Sequence, residues 1–251
     1  MIETIARILE DASRLLFITG AGISADSGLP TYRGIGGLYE DACTDEGIPI
    51  EQALSGSMFR ARPELTWKYI AELEAAHRGA IPNRAHRVIA ELENELSEVW
   101  VLTQNVDGLH HRAGSRNIID IHGDIHALSC TACPYQHRVV NYTELTIPPQ
   151  CPSCGGLVRP DVILFGELLP ESKLELLARA SARPFDAVLS VGTSSLFPYI
   201  EAPVVAAHRA GIPTVEINPG QTHLSSTVDY KVSMGAADAL GTLAEKLGLA
   251  S

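Results

Sequence analysis

The chain has 251 residues, of which 45% are hydrophobic and 20% are charged, so one large domain with a smaller insert can be expected. The net charge of −11 opposes binding to a nucleic-acid backbone and only mildly favours basic peptides, so we expect no direct nucleic-acid partner. No run approaches the ~20 apolar residues of a membrane-spanning helix, and the N-terminus does not read as a secretory signal. We therefore expect a cytoplasmic protein that does not associate with membranes.

Apolar segments typical of strands alternate with amphipathic segments typical of helices. The predicted strands are 15–19, 99–103, 162–165, 187–191, 214–217 and 230–234. The predicted helices lie near 2–12, 64–77, 83–96, 171–182, 197–209 and 236–247. This alternation predicts an α/β fold with a doubly wound, mainly parallel sheet, whose ligands bind beyond the carboxyl ends of the strands.

Two segments interrupt the alternation. Residues 28–62 lack a sustained hydrophobic period, so we predict a long functional loop there. Residues 127–160 hold four of the five cysteines together with five prolines, which indicates a small module inserted into the larger domain.

The first predicted strand ends in Gly20-Ala21-Gly22, where small residues allow a close approach to a pyrophosphate. A plain tight turn is an alternative, because the third glycine of a dinucleotide fingerprint is missing. The polar loop that follows favours a nucleotide phosphate site, and its candidate residues are Ser24, Pro30, Tyr32 and Arg33.

Amide and carboxylate side chains follow the second predicted strand. Gln104, Asn105 and Asp107 offer groups that can bind ribose hydroxyls or a carboxamide. An Asx-type turn at Asp107 is an equally good interpretation when this segment is taken alone.

His122 follows an apolar segment, and its imidazole suits the removal of a proton from a ribose hydroxyl. A lone histidine in such a position is more often structural than catalytic. His110, His111 and His126 are nearby alternatives for any histidine role.

The strongest local signal is the spacing of Cys130, Cys133, Cys151 and Cys154, which form two Cys-x-x-Cys pairs. This spacing predicts a tetrahedral zinc site with four thiolate ligands. Four protein ligands leave no open position, so one structural zinc per chain is expected. The fifth cysteine, Cys43, is interpreted as an ordinary thiol.

Small and polar residues also follow the later strands. Gly192, Thr193 and Ser194 come after strand 187–191, and Asn218 comes after strand 214–217. Each segment alone is only a loop. Together with the earlier turns they predict polar loops at one edge of one sheet.

Taken in order, these motifs resemble the sirtuin family, and in particular its bacterial-type members. The matching segments are 20–34, 103–110, 122–124, the four cysteines, 159–167, 192–195 and 218–220. The resemblance implies an enzyme that consumes NAD⁺ to remove acyl groups from protein lysines, yielding nicotinamide and O-acyl-ADP-ribose. It also implies a Rossmann-like NAD-binding domain of residues 1–126 and 161–251. The zinc module would span 127–160, with residues 35–80 contributing to the same small lobe.

The resemblance assigns a role to each matching residue. His122 would be the general base, and Asn105 would assist at the nicotinamide ribose. The predicted NAD⁺ contacts are Gly20, Ala21, Gly22, Ser24, Pro30, Tyr32, Arg33, Gln104, Asn105, Asp107, Gly192, Thr193, Ser194, Asn218 and Ala236. The acyl-lysine peptide would lie along Val162, Leu164, Phe165 and Gly166 as an added strand.

The chain departs from the desuccinylating branch of the family, which carries a Tyr-x-x-Arg pair. Ile70 and Leu73 align with that pair, so we expect acetyl or other uncharged acyl groups to be preferred over succinyl. Protein ADP-ribosyl transfer is an alternative activity, and a non-enzymatic binding module is another. The sequence leaves the oligomeric state open, and a monomer is compatible with it.

Overall fold

The structure is a computed structural model that describes residues 1–31 and 44–249. The described strands are β1 (Arg14–Thr19), β2 (Glu98–Thr103), β3 (Ile118–Asp120), β4 (Gly123–Cys130), β5 (Gln136–Arg138), β6 (Val158–Val162), β7 (Ala187–Val191), β8 (Thr214–Ile217) and β9 (Tyr230–Val232). Within these ranges, no helix combines the length and the apolar character needed to cross a bilayer.

The described α-helices match the predicted helical segments to within two residues and add three short ones. They are α1 (Ile2–Asp11), α2 (Ile50–Ala53), α3 (Gly56–Ala61), α4 (Pro63–His77), α5 (Arg84–Glu95), α6 (Leu109–Ala113), α7 (Glu171–Ala180), α8 (Pro198–Arg209) and α9 (Ala236–Lys246). A 3-10 helix spans Ala21–Ser27. Local chemistry sets several starts: the Asn83 side chain accepts the Ala85 N–H at 2.9 Å, and Pro63 and Pro198 stand where a helix needs no N–H donor.

Six strands form one parallel sheet in the order β3-β2-β1-β7-β8-β9. This confirms the predicted doubly wound α/β fold. The chain order runs outward from β1 to one edge and then returns to the other side of β1. The polar loops that follow these strands therefore meet at one edge of the sheet.

Hydrophobic cores cover both faces of the parallel sheet. Leu15 and Phe17 of β1 face a cluster that includes α1, α5 and α9, while Leu16 and Ile18 face a cluster that includes α7 and α8. Alternate residues of a strand point to opposite faces, so a strand buried on both faces is apolar throughout. Each fully buried Leu, Ile or Phe contributes roughly 1.5–3 kcal/mol, and β1 is buried along its whole length.

A second sheet has three antiparallel strands in the order β5-β4-β6. It packs with α3 and α4 in a separate hydrophobic cluster, in which Trp67 is fully buried and donates its indole N–H to the Val158 carbonyl at 2.9 Å. The predicted small lobe, in which residues 35–80 join the zinc module, stays a prediction. The domain boundaries at 126/127 and 160/161 stay a prediction, and β4 and β6 run across them.

Two sequence expectations are wrong in detail. Residues 162–165 do not form a strand of the parallel sheet, because β6 ends at Val162 and pairs with β4. Backbone N–H groups after Val162 donate to loops instead. The Ile163 N–H donates to the His122 carbonyl, and the Phe165 N–H donates to the Leu54 carbonyl. The second concerns the expected loop 28–62, which contains α2 and α3, both too short to produce a sustained period.

Candidate active site

A cleft of ≈ 1210 Å³ lies at the carboxyl ends of β1, β2, β7 and β8 and reaches the small sheet. Small-molecule pockets usually have volumes of about 300–1,000 Å³, so this cleft has room for a dinucleotide and a second substrate. The predicted residues that line it are Gly20, Ala21, Gly22, Gln104, Asn105, His122, Val162, Leu164, Phe165, Gly166, Gly192, Thr193, Ser194 and Asn218. The structure thus brings the predicted polar loops together in one place.

The glycines at the ends of β1 and β7 pack backbone against backbone. The Gly22 N–H donates to the Gly192 carbonyl at 2.8 Å. A Cβ on Gly22 would lie 2.7 Å from the Gly192 Cα, and one on Gly20 would lie 2.8 Å from the Thr193 Cβ. Gly192 itself has φ +61°, which disfavours a side chain. The contact between the two loops is therefore a sufficient reason for these glycines, and their predicted contacts with NAD⁺ stay a prediction.

A buried polar network lies beneath the cleft. The Ser24 hydroxyl donates to Asp107 Oδ2 at 2.7 Å, and the Asn105 amide donates to Ser24 Oγ at 3.2 Å and to the Gly20 carbonyl at 3.1 Å. Asp107 Oδ1 accepts the Leu109 N–H at 2.9 Å. Each bond uses a polar atom that would be costly to bury alone. The network fixes the Asn105 side chain at the cleft wall.

Two histidines adjoin this network without reaching the cleft. The His86 and His110 rings meet edge to face with centroids 4.9 Å apart. Burial lowers the pKa of His86 to about 4 and lowers the pKa of His110 well below its usual value, so both rings are neutral. His110 Nε2 lies 3.0 Å from the Thr19 hydroxyl. These rings are structural parts of the site.

His122 is the histidine that lines the cleft, whereas His110, His111 and His126 do not. Its Nδ1 lies 3.0 Å from the Gln104 carbonyl, which can only accept, so Nδ1 carries the proton in the neutral ring. Nε2 is then the basic nitrogen, and it accepts the Tyr199 hydroxyl at 2.6 Å. Burial lowers the pKa of His122, which keeps the ring neutral and able to take a proton near neutral pH.

Two aromatic residues beside His122 were missed by the sequence reasoning. Phe197 and Tyr199 stack on each other at a centroid distance of 5.4 Å, and both rings meet the imidazole edge to face. Burial raises the pKa of Tyr199 to about 12, so its phenol remains protonated. Both residues come directly after the polar loop at the end of β7. The rule that ligands bind beyond strand ends could have marked them.

The loops after β7 and β8 are joined to each other and to Gln104. The Gln104 amide donates to Thr193 Oγ1 at 2.7 Å, and the Asn218 amide donates to the Thr193 carbonyl at 3.1 Å. Gln221 and Thr222, which the sequence reasoning did not select, extend this wall of the cleft.

The small sheet supplies an apolar wall. The segment from Val162 to Gly166 leaves β6 and crosses the cleft. Backbone bonds at 3.0 Å join Phe165 to the start of α3, with its N–H donating to Leu54 and its carbonyl accepting from Gly56. The other apolar side chains of this wall are Leu54, Ile70, Leu73, Val106 and Ile125.

Four of the predicted NAD⁺ contacts within the described residues do not line the cleft. Ser24 and Asp107 are buried in the network beneath the cleft, and the Ala236 side chain packs in the hydrophobic core while Gly235 lines the cleft. Pro30 is half-buried, and its neighbour Thr31 lines the cleft. Tyr32, Arg33 and Cys43 lie outside the described residues.

The four paired cysteines meet at one end of the small sheet, and their sulfur atoms all lie within 4.8 Å of one another. The Sγ atoms of Cys130 and Cys154 are 3.6 Å apart, as are those of Cys133 and Cys151. Zinc–sulfur bonds of about 2.3 Å place the corners of a tetrahedron roughly 3.8 Å apart. N–H groups of Ala132 and Gly156 point at the Cys130 and Cys154 sulfurs, as suits thiolates. The cluster fits a structural zinc ion.

The sequence profile of the Sir2 family matches residues 20–197, which include most of the residues that line the cleft and the four paired cysteines. The chain belongs to the Sir2 family. Similarity to curated Sir2 relatives extends over nearly the whole chain. NAD-dependent protein deacylase 2 of Pseudomonas aeruginosa is 50% identical over 240 residues, covering 94% of this chain and 93% of the relative. The protein of the same name in Pseudomonas syringae is 50% identical over 241 residues, covering 95% and 97%.

Solved Sir2 structures share the fold. A Sir2 homolog–NAD complex is 34% identical and superposes with a TM-score of 0.87, covering 98% of this chain and 93% of that one. A Sir2 variant bound to deacetylated p53 peptide and 3′-O-acetyl ADP ribose is 28% identical, with a TM-score of 0.87 and 99% coverage of both chains.

Proposed function

We propose that this Sir2 chain removes acyl groups from lysine side chains of proteins and consumes NAD⁺ in the reaction. The observation that carries the proposal is the position of His122. Its basic Nε2 lies on the cleft wall, between the polar loops of the parallel sheet and the apolar wall of the small sheet. The names of the Pseudomonas relatives and the acetyl ADP ribose in a solved Sir2 complex support the same activity.

We place the NAD⁺ along the strand ends. The pyrophosphate would lie at Gly20–Gly22, and the adenosine at Gly192–Ser194 and Asn218. The nicotinamide and its ribose would lie at Gln104 and Asn105. Ser24 and Asp107 would act from beneath by holding the Asn105 amide in place. The glycine and polar residues that line the cleft at the ends of β1, β2, β7 and β8 support this order.

In the proposed reaction the acyl oxygen of the lysine amide bonds to C1′ of the nicotinamide ribose while the bond to nicotinamide breaks. His122 Nε2 then takes the proton of a ribose hydroxyl, and that oxygen attacks the bound acyl carbon. Water completes the release of lysine and O-acyl-ADP-ribose. The chain's own contribution is to hold the two substrates in line and to limit water at the cationic sugar, in addition to general-base catalysis.

The direct test is His122→Ala. Loss of the base should lower the rate of deacylation about 10²–10⁴-fold, while NAD⁺ binding measured by calorimetry remains. His111→Ala is the matched control, because His111 lies on α6 and does not line the cleft. Undiminished peptide turnover in His122→Ala would overturn the assignment.

Mass spectrometry of the products separates deacylation from ADP-ribosyl transfer. Deacylation yields free lysine peptide and O-acyl-ADP-ribose, whereas transfer leaves a peptide that carries ADP-ribose. A modified peptide as the main product would favour transfer.

The apolar wall supports a preference for uncharged acyl groups. Ile70 and Leu73 line the cleft, and no lysine or arginine does so among residues 1–31 and 44–249. A succinyl carboxylate would be buried there without a counter-charge, which is costly. Acetyl-lysine and longer uncharged acyl-lysine peptides should therefore be turned over faster than succinyl-lysine peptides.

Introducing the missing pair tests this preference. Ile70→Tyr combined with Leu73→Arg should raise the ratio of succinyl to acetyl turnover about tenfold or more, since a buried carboxylate gains a charged donor. Leu73→Met keeps the wall apolar at similar volume and should leave the ratio unchanged. A wild-type protein that prefers succinyl peptides would contradict the proposal.

A further inference from the structure

The strand β8 carries a charge inside the parallel sheet. Its four residues are all buried, and Glu216 has no exposed surface. A buried carboxylate costs free energy unless it is paired and hydrogen-bonded, and an apolar residue would serve the core better. The position of Glu216 therefore calls for a specific purpose.

The partners of Glu216 lie on the loop that follows its own strand and on the adjacent strand. Its Oε1 accepts the Thr222 hydroxyl, and its Oε2 accepts the Ser225 hydroxyl at 2.6 Å. Lys231 is its cross-strand neighbour on β9, with Nζ 3.7 Å from Oε2. One carboxylate thus folds residues 218–225 back against the sheet.

This loop forms the wall of the cleft after β8. Thr222 bonds to Glu216 and also lines the cleft. The Lys231 ammonium donates to the Asn218 carbonyl, and the Asn218 amide in turn donates to the Thr193 carbonyl at 3.1 Å. A continuous chain of polar contacts therefore runs from the buried carboxylate to both loops of this end of the cleft.

We propose that Glu216 and Lys231 are a positioning pair that shapes the adenosine end of the NAD⁺ site. This rests on the proposed function, which places the adenosine between the loops after β7 and β8. Neither residue lines the cleft, so the pair acts through Asn218 and Thr222. The pair leaves the His122 side of the cleft, where the chemistry occurs, unchanged.

The test compares Glu216→Gln and Lys231→Met with the wild-type protein. Each should raise KM for NAD⁺ about tenfold, because a hydrogen bond or ion pair with a charged group is lost. At saturating NAD⁺, kcat and KM for the acyl peptide should stay within about twofold. The affinity for ADP-ribose, measured by calorimetry, should fall by the same factor as KM for NAD⁺ rises. Lys231→Arg keeps the charge and the donors and should restore most of the loss.

Glu93→Gln is the matched control for a merely structural role. Glu93 is also a buried carboxylate that holds a loop, accepting the backbone N–H groups of Arg116 and Asn117 at 2.7 and 3.1 Å. That loop precedes β3 and does not line the cleft. Glu93→Gln should lower the melting temperature and leave KM for NAD⁺ unchanged.

An unchanged KM for NAD⁺ in Glu216→Gln and Lys231→Met would overturn the proposed positioning role of the pair. Equal rises in KM for NAD⁺ and for peptide would also overturn it, since they would indicate a change of the whole cleft rather than of its adenosine end. A wild-type protein that binds ADP-ribose but leaves acyl peptides intact would count against the proposed function. The calorimetric comparison would still decide the role of the pair.

Discussion

The two sheets of the molecule hold their parts of the cleft by different means. Every residue of β1 and β7 is buried, and cores cover both faces of the parallel sheet. In the small sheet, β5 is exposed at all three residues and β6 is only partly buried. Apolar burial suffices to stabilise the parallel sheet. The small sheet needs a further source of folding free energy, which zinc binding by the four cysteines supplies.

The same division separates the chemistry of the cleft. The parallel sheet contributes polar loops and the His122 imidazole, and the small sheet contributes an apolar wall. Because His122 immediately precedes β4, the first strand of the small sheet, disorder in that sheet should reach the catalytic base. Changes in either region should therefore lower activity, but with different signatures.

The largest effect is expected from removing one zinc ligand. Cys151→Ser should abolish zinc binding and unfold the small sheet, because structural zinc contributes about 10–16 kcal/mol of apparent binding free energy. Deacylation should fall at least about 100-fold, as expected when a catalytic group is misplaced. Zinc content by elemental analysis and the helical circular dichroism signal should separate loss of the module from global unfolding.

Cys43→Ser is the matched control, since Cys43 lies outside the two Cys-x-x-Cys pairs and should not affect zinc content. Full activity after complete zinc removal would contradict the proposed difference between the two sheets, because the small sheet would then be stable on apolar packing alone.

An intermediate effect is expected within the parallel-sheet region. Asp107→Asn removes the acceptor of the Ser24 hydroxyl, while its remaining amide oxygen can still accept the Leu109 N–H. The loosened Asn105 should lower kcat/KM for NAD⁺ about 10-fold to 100-fold, in line with a broken buried hydrogen-bond network. Zinc content and the preference for uncharged acyl groups over succinyl should stay as in the wild-type protein. Loss of zinc in this variant would show that the two regions are not separable.

The sequence predicted the alternation of strands and helices, the cysteine cluster and the loops at the strand ends because each leaves a local signal. The run 162–165 was misplaced because four apolar residues fit either a buried strand or a cleft wall. The hydrogen bond between Ser24 and Asp107 was missed, since no spacing in the sequence indicates that their side chains bind each other. Tyr199 was missed because its contact with His122 bridges 77 residues.

The smallest effect is expected at an ion pair between two strands of the small sheet, close to His122. Arg138 of β5 pairs with Asp124, two residues after His122. Burial raises the pKa of Asp124, but hydrogen bonds from His126 and then Arg138 outweigh it and lower the pKa to about 2. The Arg138 side chain is 60% exposed, so solvent should weaken the pair to at most about 1 kcal/mol. Arg138→Gln should therefore reduce kcat only about threefold, an effect that added salt should mimic in the wild-type protein. Arg179→Gln, an exposed change on α7, should have no effect. A hundredfold loss of kcat in Arg138→Gln would mean that this ion pair couples the zinc module to the catalytic base. Strand β4, which runs from the residue after His122 to Cys130, would then not be the main link.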